Sequence, residues 1–415
     1  MNPLKYIGHW FAKLGEVFAH EFSIVRHDAG ALLFFIGLPL LYPIVYTLIY
    51  NPEVVRQLPV AVVDNSRTPE SRELVRSASA APAVEIFSYD ANMADAKARM
   101  AAGEVFAIME IPSDYARRLA VGQQAVVPMY FDMSLLLRYR ALLGAMTDLQ
   151  MKVMHDVTAA RVETFGASSL GMASLPVESE SNFMGDTSDG FASFVIPGIV
   201  ILILQQSLVL GVMLIEGSSR ERRRRNGGID PKMVAGAPTS SLIIGKALCY
   251  TVIYLPMVLY VLVMIPRFFS LPHIGDPADY LLFIFPLLLA SAFFGQTLTL
   301  FAKERESTFM IVVFTSVVFL FLSGLTWPRY AMSDFWRFCG DLVPGVWGIE
   351  GFIRINSNAA TLAESARPFT AMWILTGLYF ITAWIVMAYI RKVSRTDSVP
   401  AHIPNTDAPS APEAK

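Results

Sequence analysis

Six apolar runs, each about as long as a bilayer is thick, decide what this chain can fold into. They cover residues 31–50, 191–215, 242–265, 280–302, 308–326 and 369–390. A helical crossing needs about 20 apolar residues. Backbone N–H and C=O groups find no water inside hydrocarbon, so each run is expected to be a helix. Pro39, Pro43, Pro197, Pro256 and Pro286 fall inside the runs; neighbouring helices tolerate this by satisfying the freed carbonyls. Composition agrees, with 54% of the 415 residues hydrophobic and 16% charged, against roughly 25% charged in soluble domains. The expected fold class is an α-helical polytopic membrane protein with six transmembrane helices and an inserted α/β extracytoplasmic domain.

Lys and Arg set the orientation. With the N-terminus inside, inner segments hold fifteen of them and the two short outer loops hold five. Both termini are therefore expected to be cytoplasmic. An interfacial helix would fill 1–30 and a tail 391–415, and 51–190 would lie outside. No cleavable signal pattern precedes the first run. The net charge of −2 offers no basic surface for nucleic acid. Cys249 lies in an apolar run and Cys339 in an expected outer loop, so no disulfide framework is implied.

Residues 51–190 are enough for a folded domain. Leu58–Asp64, Val84–Tyr89, 104–111 and 126–132 read as strands, Pro69–Ser79 and 93–102 as helices. That alternation suggests a small α/β domain. Residues 135–165 read as one long helix, and the Ser- and Gly-rich 166–190 as a loop. Asp64-Asn65-Ser66 reads as a turn with a helix cap at Ser66 or Thr68.

Chemistry is conspicuous by what is missing. There is no G-x-x-x-x-G-K-[ST] phosphate loop, no G-x-S-x-G, no H-E-x-x-H and no Cys/His metal spacing. The chain is thus not expected to be an enzyme, to hold a metal or to bind ATP by that loop. With Lys246 counted as the end of the loop before the third span, the six runs contain no Asp, Glu, Lys, Arg or His. Carriers driven by protons need such groups in the membrane, so an energy source outside the bilayer is the simpler reading. A sodium site built from carbonyls and hydroxyls stays open. Gln205, Gln206, Gln296 and Thr299, with Ser323 and Trp327 at the outer end of the fifth run, are the candidate substrate path.

Charged residues gather at the membrane edges. In 10–27, Trp10, Leu14, Val17, Phe18 and Val25 fall along one side, and Lys13, Glu16, His20 and Arg26 largely elsewhere. That fits an interfacial helix. Arg220-Glu221-Arg222-Arg223-Arg224-Arg225 follows the second span as a topology signal, a lipid-headgroup attractor or a docking element. Pro238 leads a helix start, with Thr239 or Ser240 available as N-cap. Lys303-Glu304-Arg305-Glu306 reads as a tight charged turn. The Gly- and Pro-interrupted 336–351, within an outer segment 327–368, is too short to span and could dip into the membrane and return.

Together these pieces resemble the ABC-2 type permeases, in the six-span exporter branch with a long ectodomain. The resemblance rests on Glu21 and Arg26-His27-Asp28 before span one, Pro59-Val60-Ala61-Val62-Val63-Asp64 with Ser71-Arg72, and Pro238-Thr239-Ser240 with Gly245-Lys246. Its most specific part is Ser323-Gly324-Leu325-Thr326-Trp327-Pro328 with Pro344 beyond. Many relatives carry a Glu-rich element with Gly-Thr after span two, whereas this chain is arginine-rich there.

The resemblance implies a permease subunit of an exporter of hydrophobic or amphipathic compounds in a bacterial inner membrane. ATP and Mg would sit on a separate ATPase. Implied partners are that ATPase, a second permease copy, membrane lipid, and a periplasmic adaptor with an outer-membrane channel. The ATPase stroke would enter through Glu21, Arg26 and Asp28 and through a coupling loop, 216–246, containing Glu216, Arg220, Arg222, Arg223, Pro238, Thr239 and Lys246. The rival reading is a membrane receptor or assembly factor of the same architecture that works without an ATPase.

Overall fold

The computed structural model describes residues 3–50, 55–165, 190–226, 230–271, 273–302 and 304–397. The chain divides into two compact units, Met1–Asn51 with Phe183–Lys415, and Pro52–Asn182. It begins with α1 (Pro3–His27) and α2 (Ala29–Tyr50), broken apart at Asp28. Asp28 is extended and caps α2 by accepting from the Ala31 N–H at 3.0 Å.

The inserted unit runs β1 (Leu58–Asp64), α3 (Pro69–Ser79), β2 (Val84–Tyr89), α4 (Met93–Ala101), β3 (Ala107–Ile111), α5 (Tyr115–Ala120), β4 (Met129–Phe131) and α6 (Leu136–Phe165). The sheet order is β2-β1-β3-β4, with β1 parallel to both neighbours and β4 antiparallel to β3. One face of β1 packs Val60 and Val62 with Leu74 and Val75 of α3 and Leu142 and Met146 of α6. The other packs Ala61 and Val63 with Ala96 of α4. Burial on both faces explains why β1 reads as a continuous apolar run. The Asp64 turn is a cap structure. Asp64 accepts from the Ser66 and Arg67 N–H groups at 2.9 Å and from the Ser71 hydroxyl at 2.7 Å, and Thr68 with Ser71 forms a capping box on α3. The third and fourth strands are shorter than 104–111 and 126–132, and α5 was not foreseen. The expected loop 166–190 lies, but for Gly190, outside the described residues.

The other unit continues with α7 (Phe191–Arg225), α8 (Thr239–Phe268), α9 (Pro277–Leu298), α10 (Arg305–Leu322), a 3-10 turn at Arg329–Ala331, α11 (Asp334–Asp341), α12 (Pro344–Asn358) and α13 (Ala366–Asp397). Among the described residues six helices are long and apolar enough to cross a membrane: α2, α7, α8, α9, α10 and α13. The central one is α7, whose most apolar window is 89% buried against 22% for α2 and 17% for α10. A helix apolar all round belongs inside a bundle.

Prolines are absorbed locally. A proline ring clashes with the carbonyl four residues earlier. For Pro39 and Pro266 those are the carbonyls of Phe35 and Leu262, and each lies in a π turn, Leu33–Gly37 and Tyr260–Met264. The expected outer segment is two helices, of which α12 buries Val346, Ile349, Phe352 and Ile355. The turn before them uses Gly324 at φ +90, a conformation that favours glycine. Ser323 braces it by accepting from the Leu325 N–H at 3.2 Å.

Two boundaries change. Apolarity ends at Ile215, but α7 continues to Arg225, so the coupling loop expected over 216–246 shrinks to the segment between α7 and α8. A helix C-terminus favours cations, so a run of arginines can extend a helix rather than end it. The tail expected from 391 is helical to Asp397.

Candidate functional site

Most of the expected coupling residues meet at one end of the helix bundle, where α7 finishes and α8 starts. Helix α1 lies across the first turns of α8. Gly245 makes this possible, because a Cβ there would sit 2.9 Å from Val17 Cγ1 and 3.1 Å from the Leu14 carbonyl oxygen. The contact stripe on α1 runs Leu14, Val17, Glu21 and Val25, at helical three- and four-residue spacing. Glu21 therefore points into the packing, 3% exposed.

There it meets Lys246 of α8 and Glu216 of α7. Lys246 Nζ lies 2.5 Å from Glu216 Oε1 and 3.7 Å from Glu21 Oε1. The Tyr250 hydroxyl, one turn beyond Lys246, donates to Glu21 Oε1 at 2.5 Å. Two carboxylates share one ammonium inside the protein. Burial pushes the Glu21 carboxyl up from its ordinary value; Lys246, Tyr250 and His20 oppose this and Glu216 adds to it. The arrangement is a Glu216–Lys246 ion pair with Glu21 as the group inclined to hold a proton. Lys246 thus corrects the expectation that the spans carry no ionisable residue. It sits seven residues into α8, about 10 Å from its start, and is tolerated because both neighbours are acidic.

A second lock joins α2 to α10. Arg305 grips Asp28 bidentately at 2.6 and 2.9 Å and reaches the Ser218 hydroxyl of α7 at 3.2 Å. Burial alone would raise the Asp28 carboxyl, but Arg305 and the Ala31 N–H outweigh it and hold it below the usual carboxylate range. Lys303-Glu304-Arg305-Glu306 is therefore more than a charged turn. Glu304 and Ser307 form a capping box that starts α10.

The arginines after span two turn largely inward. Arg220 donates to the Ala302 carbonyl at 2.7 Å. Arg222 holds Asp230 through two bonds of 3.0 and 3.2 Å, and the Ser219 hydroxyl adds a third at 2.5 Å. These bonds hold the Asp230 carboxyl low despite its burial. Arg223 donates to the Met233 sulfur at 3.2 Å. Arg224 and Arg225 are exposed. The cap of α8 is Pro238, not Thr239 or Ser240. Thr239 accepts from Arg391 at 2.9 Å and Ser240 from the Trp10 indole at 3.0 Å. Those hydroxyls face neighbouring helices instead of the first N–H groups of α8. Arg26 stands apart, exposed on α1.

The residues expected to line a substrate path fall in three places. Gln205 and Gln206 lie mid-way along α7, and neither amide has a hydrogen-bond partner among the described residues. Gln205 rests against Gly345 of α12, where a Cβ would come within 2.2 Å of Oε1. Gln296 and Thr299 sit near the charged end: Gln296 donates to the Ile243 carbonyl at 3.4 Å, and Thr299 to the Gln296 carbonyl at 2.6 Å. Ser323 and Trp327 lie past the end of α10, with Trp327 exposed.

Several partners escaped the sequence reading. Tyr250 sits one helical turn after Lys246, a weak signal. Arg305, Trp10 and Arg391 have none, because each acts on residues distant in sequence, and Asp230 has none because its partners Ser219 and Arg222 face it only once α7 runs on to Arg225. The same holds beyond α10, where Arg329 pairs with Asp341 and, at 2.7 Å, with Glu350, and stacks 4.8 Å over Trp347. Among the described residues no three His, Cys, Asp or Glu side chains gather as a metal site. The charged end joins α1 to α7 and α8, and α2 to α10, through ion pairs and hydrogen bonds.

A family model described as ABC-2 family transporter protein matches residues 30–385. The match covers α2 to most of α13 and leaves α1, with Glu21, before it. A search of curated proteins gave no match.

Proposed function

Because the chain belongs to the ABC-2 family of transporter proteins, and is thus a multi-pass membrane permease of an ABC transporter, we propose that it is the membrane-spanning subunit of an exporter driven by a separate ATPase. ATP and Mg bind that partner, which docks at the charged end of the bundle. This end faces the cytoplasm of a bacterial cell, with both termini inside, the inserted domain outside the inner membrane, and a second permease copy completing the pathway. The inserted domain is the surface a periplasmic adaptor and outer-membrane channel would use.

The observation that carries this reading is the Glu21–Lys246–Glu216 lock. It ties an amphipathic helix lying outside the spans to α7, the most buried of them. A push on the exposed face of α1, at Arg26, or on Arg224 and Arg225 would reach α7 and α8 without loss in flexible loops. The lone carboxylate Asp28 extends the tie to α10. Gln205 and Gln206 support an amphipathic cargo. Each uncompensated buried polar group costs about 1–3 kcal/mol, and the polar part of a cargo, or water travelling with it, would relieve that. We read α11 and α12 as the re-entrant segment that closes the outer end, with Trp327 at its lip.

Isolation of the intact chain from its native membranes in mild detergent tests the reading. An ABC ATPase is expected to copurify. A chain that performs its membrane function with no ATPase attached would favour a receptor or assembly factor.

A further inference from the structure

Between α1, the end of α7, the segment 230–234 and the start of α8 lies a small cleft, open to solvent on one side. Its floor is apolar, with Val17, Ile24 and Ile215, and its walls carry both signs of charge. Most of that charge is spent internally. Arg222 is neutralised by Asp230 and Lys246 by Glu216, and Glu21 is held toward its neutral form.

Two cations remain. Arg223 is 8% exposed, yet its one described hydrogen bond runs to the Met233 thioether, a weak acceptor. No described carboxylate pairs with it. Lys232, exposed at the rim, likewise has no described carboxylate partner. Its carbonyl is held by His20 Nε2 at 2.6 Å, which fixes the segment against α1. A guanidinium offers five donors in a rigid fork, and this one, partly desolvated at the open side of the cleft, has no described counter-charge to offset that cost. The negative end of α7 offsets only a small part of this.

We propose that this cleft is an anion site that takes a phosphate group, held by the Arg223 fork with Lys232 at the rim. The adjoining apolar floor suits the acyl-chain side of an anionic phospholipid; free phosphate shares the same anion chemistry. The inference does not depend on docking of an ATPase, and its test uses the full chain alone.

The purified chain in neutral detergent is titrated with phosphatidylglycerol, with phosphatidylcholine and, separately, with inorganic phosphate. Bound lipid is read by native mass spectrometry, and anion binding by the shift in thermal unfolding. Saturable binding of phosphatidylglycerol over phosphatidylcholine is expected. It should weaken at least about tenfold in Arg223→Gln, the loss of a charge-assisted bidentate pair, recover partly in Arg223→Lys, and stay unchanged in Arg225→Gln, an exposed arginine half a turn away. If Arg223→Gln does not fold, the exposed Lys232→Gln carries the test and should weaken binding severalfold. Inorganic phosphate that stabilises the chain and displaces the lipid assigns the site to phosphate in general; lipid binding that phosphate does not displace assigns it to the lipid headgroup. Equal loss in Arg225→Gln would reduce the effect to surface charge and overturn the proposal. So would the absence of saturable binding or stabilisation by either phosphate source.

Discussion

Replacing Glu216 by Gln should damage this protein far more than the same change at Glu21, although both carboxylates face Lys246. Lys246 Nζ lies 2.5 Å from Glu216 and 3.7 Å from Glu21. At an effective dielectric of 20 these distances correspond to attractions of roughly 6–7 and 4–5 kcal/mol. Burial keeps Glu21 inclined to its neutral form, so Glu216 supplies the working counter-charge. Glu216→Gln strands the ammonium, a loss of about 3–5 kcal/mol. Part of it returns when Glu21, relieved of its acidic neighbour, ionises in its place. Glu21→Gln keeps the acceptor for Tyr250 and should cost less than about 1 kcal/mol. The double variant removes the rescue, so its loss should exceed the sum of the single losses by about 0.5–3 kcal/mol.

The assay is unfolding of the purified chain in mixed micelles, followed from pH 4 to pH 8. Glu21 binds its proton more tightly folded than unfolded, where its ordinary value is 4.5. Its contribution is fully present below that value and lost as pH rises through the raised folded value. Glu21→Gln should flatten this slope. Equal destabilisation by the two single variants, or an unchanged slope in Glu21→Gln, would show Glu21 to be ionised and refute the reasoning.

Asp28→Asn should cost about 1.5–3 kcal/mol in the same unfolding assay. Because the Asp28 carboxyl is held low, the contribution it removes is present above its unfolded value of 3.8 and lost as pH falls through the folded one, so variant and wild type should converge in acid. Gly245→Ala drives a methyl into Val17 and the Leu14 carbonyl and should cost about 1–3 kcal/mol, read as increased proteolysis of α1. Gln205→Leu removes a buried amide that has no described partner and should stabilise the fold by about 1–3 kcal/mol while lowering transport of an amphipathic cargo; unchanged transport would take Gln205 off the path. A cysteine at Ser88 should label from outside intact cells and one at the exposed Arg225 should not; the reverse would invert the topology.

The spans and the inserted domain were legible because both rest on local signals. Apolar length marks the helices, and unbroken apolar residues mark β1. Proline and hydroxyl capping likewise placed α3 and its Asp64 turn. The charged end was legible only as a collection of residues. Glu21 reads as polar decoration on an amphipathic helix until Lys246, 225 residues later, is brought beside it. Lys246 in turn reads as the end of the coupling loop, because a single lysine four residues past the start of the apolar run 242–265 is more simply counted with the loop than with the span. The arginines after span two read as part of the coupling loop, yet the helix C-terminus favours them and α7 runs on to Arg225. Contacts such as Arg222–Asp230 then follow from where α7 ends, which no local pattern records.

Transmission of the ATPase stroke from α1 through the Glu21–Lys246–Glu216 lock is tested most directly in proteoliposomes holding the permease with its copurified ATPase. Cargo moved and ATP hydrolysed are measured together in wild type and in Lys246→Met. If the lock couples the two, the variant should still hydrolyse ATP while cargo moved per ATP falls at least about tenfold. An unchanged ratio of cargo to ATP would contradict it.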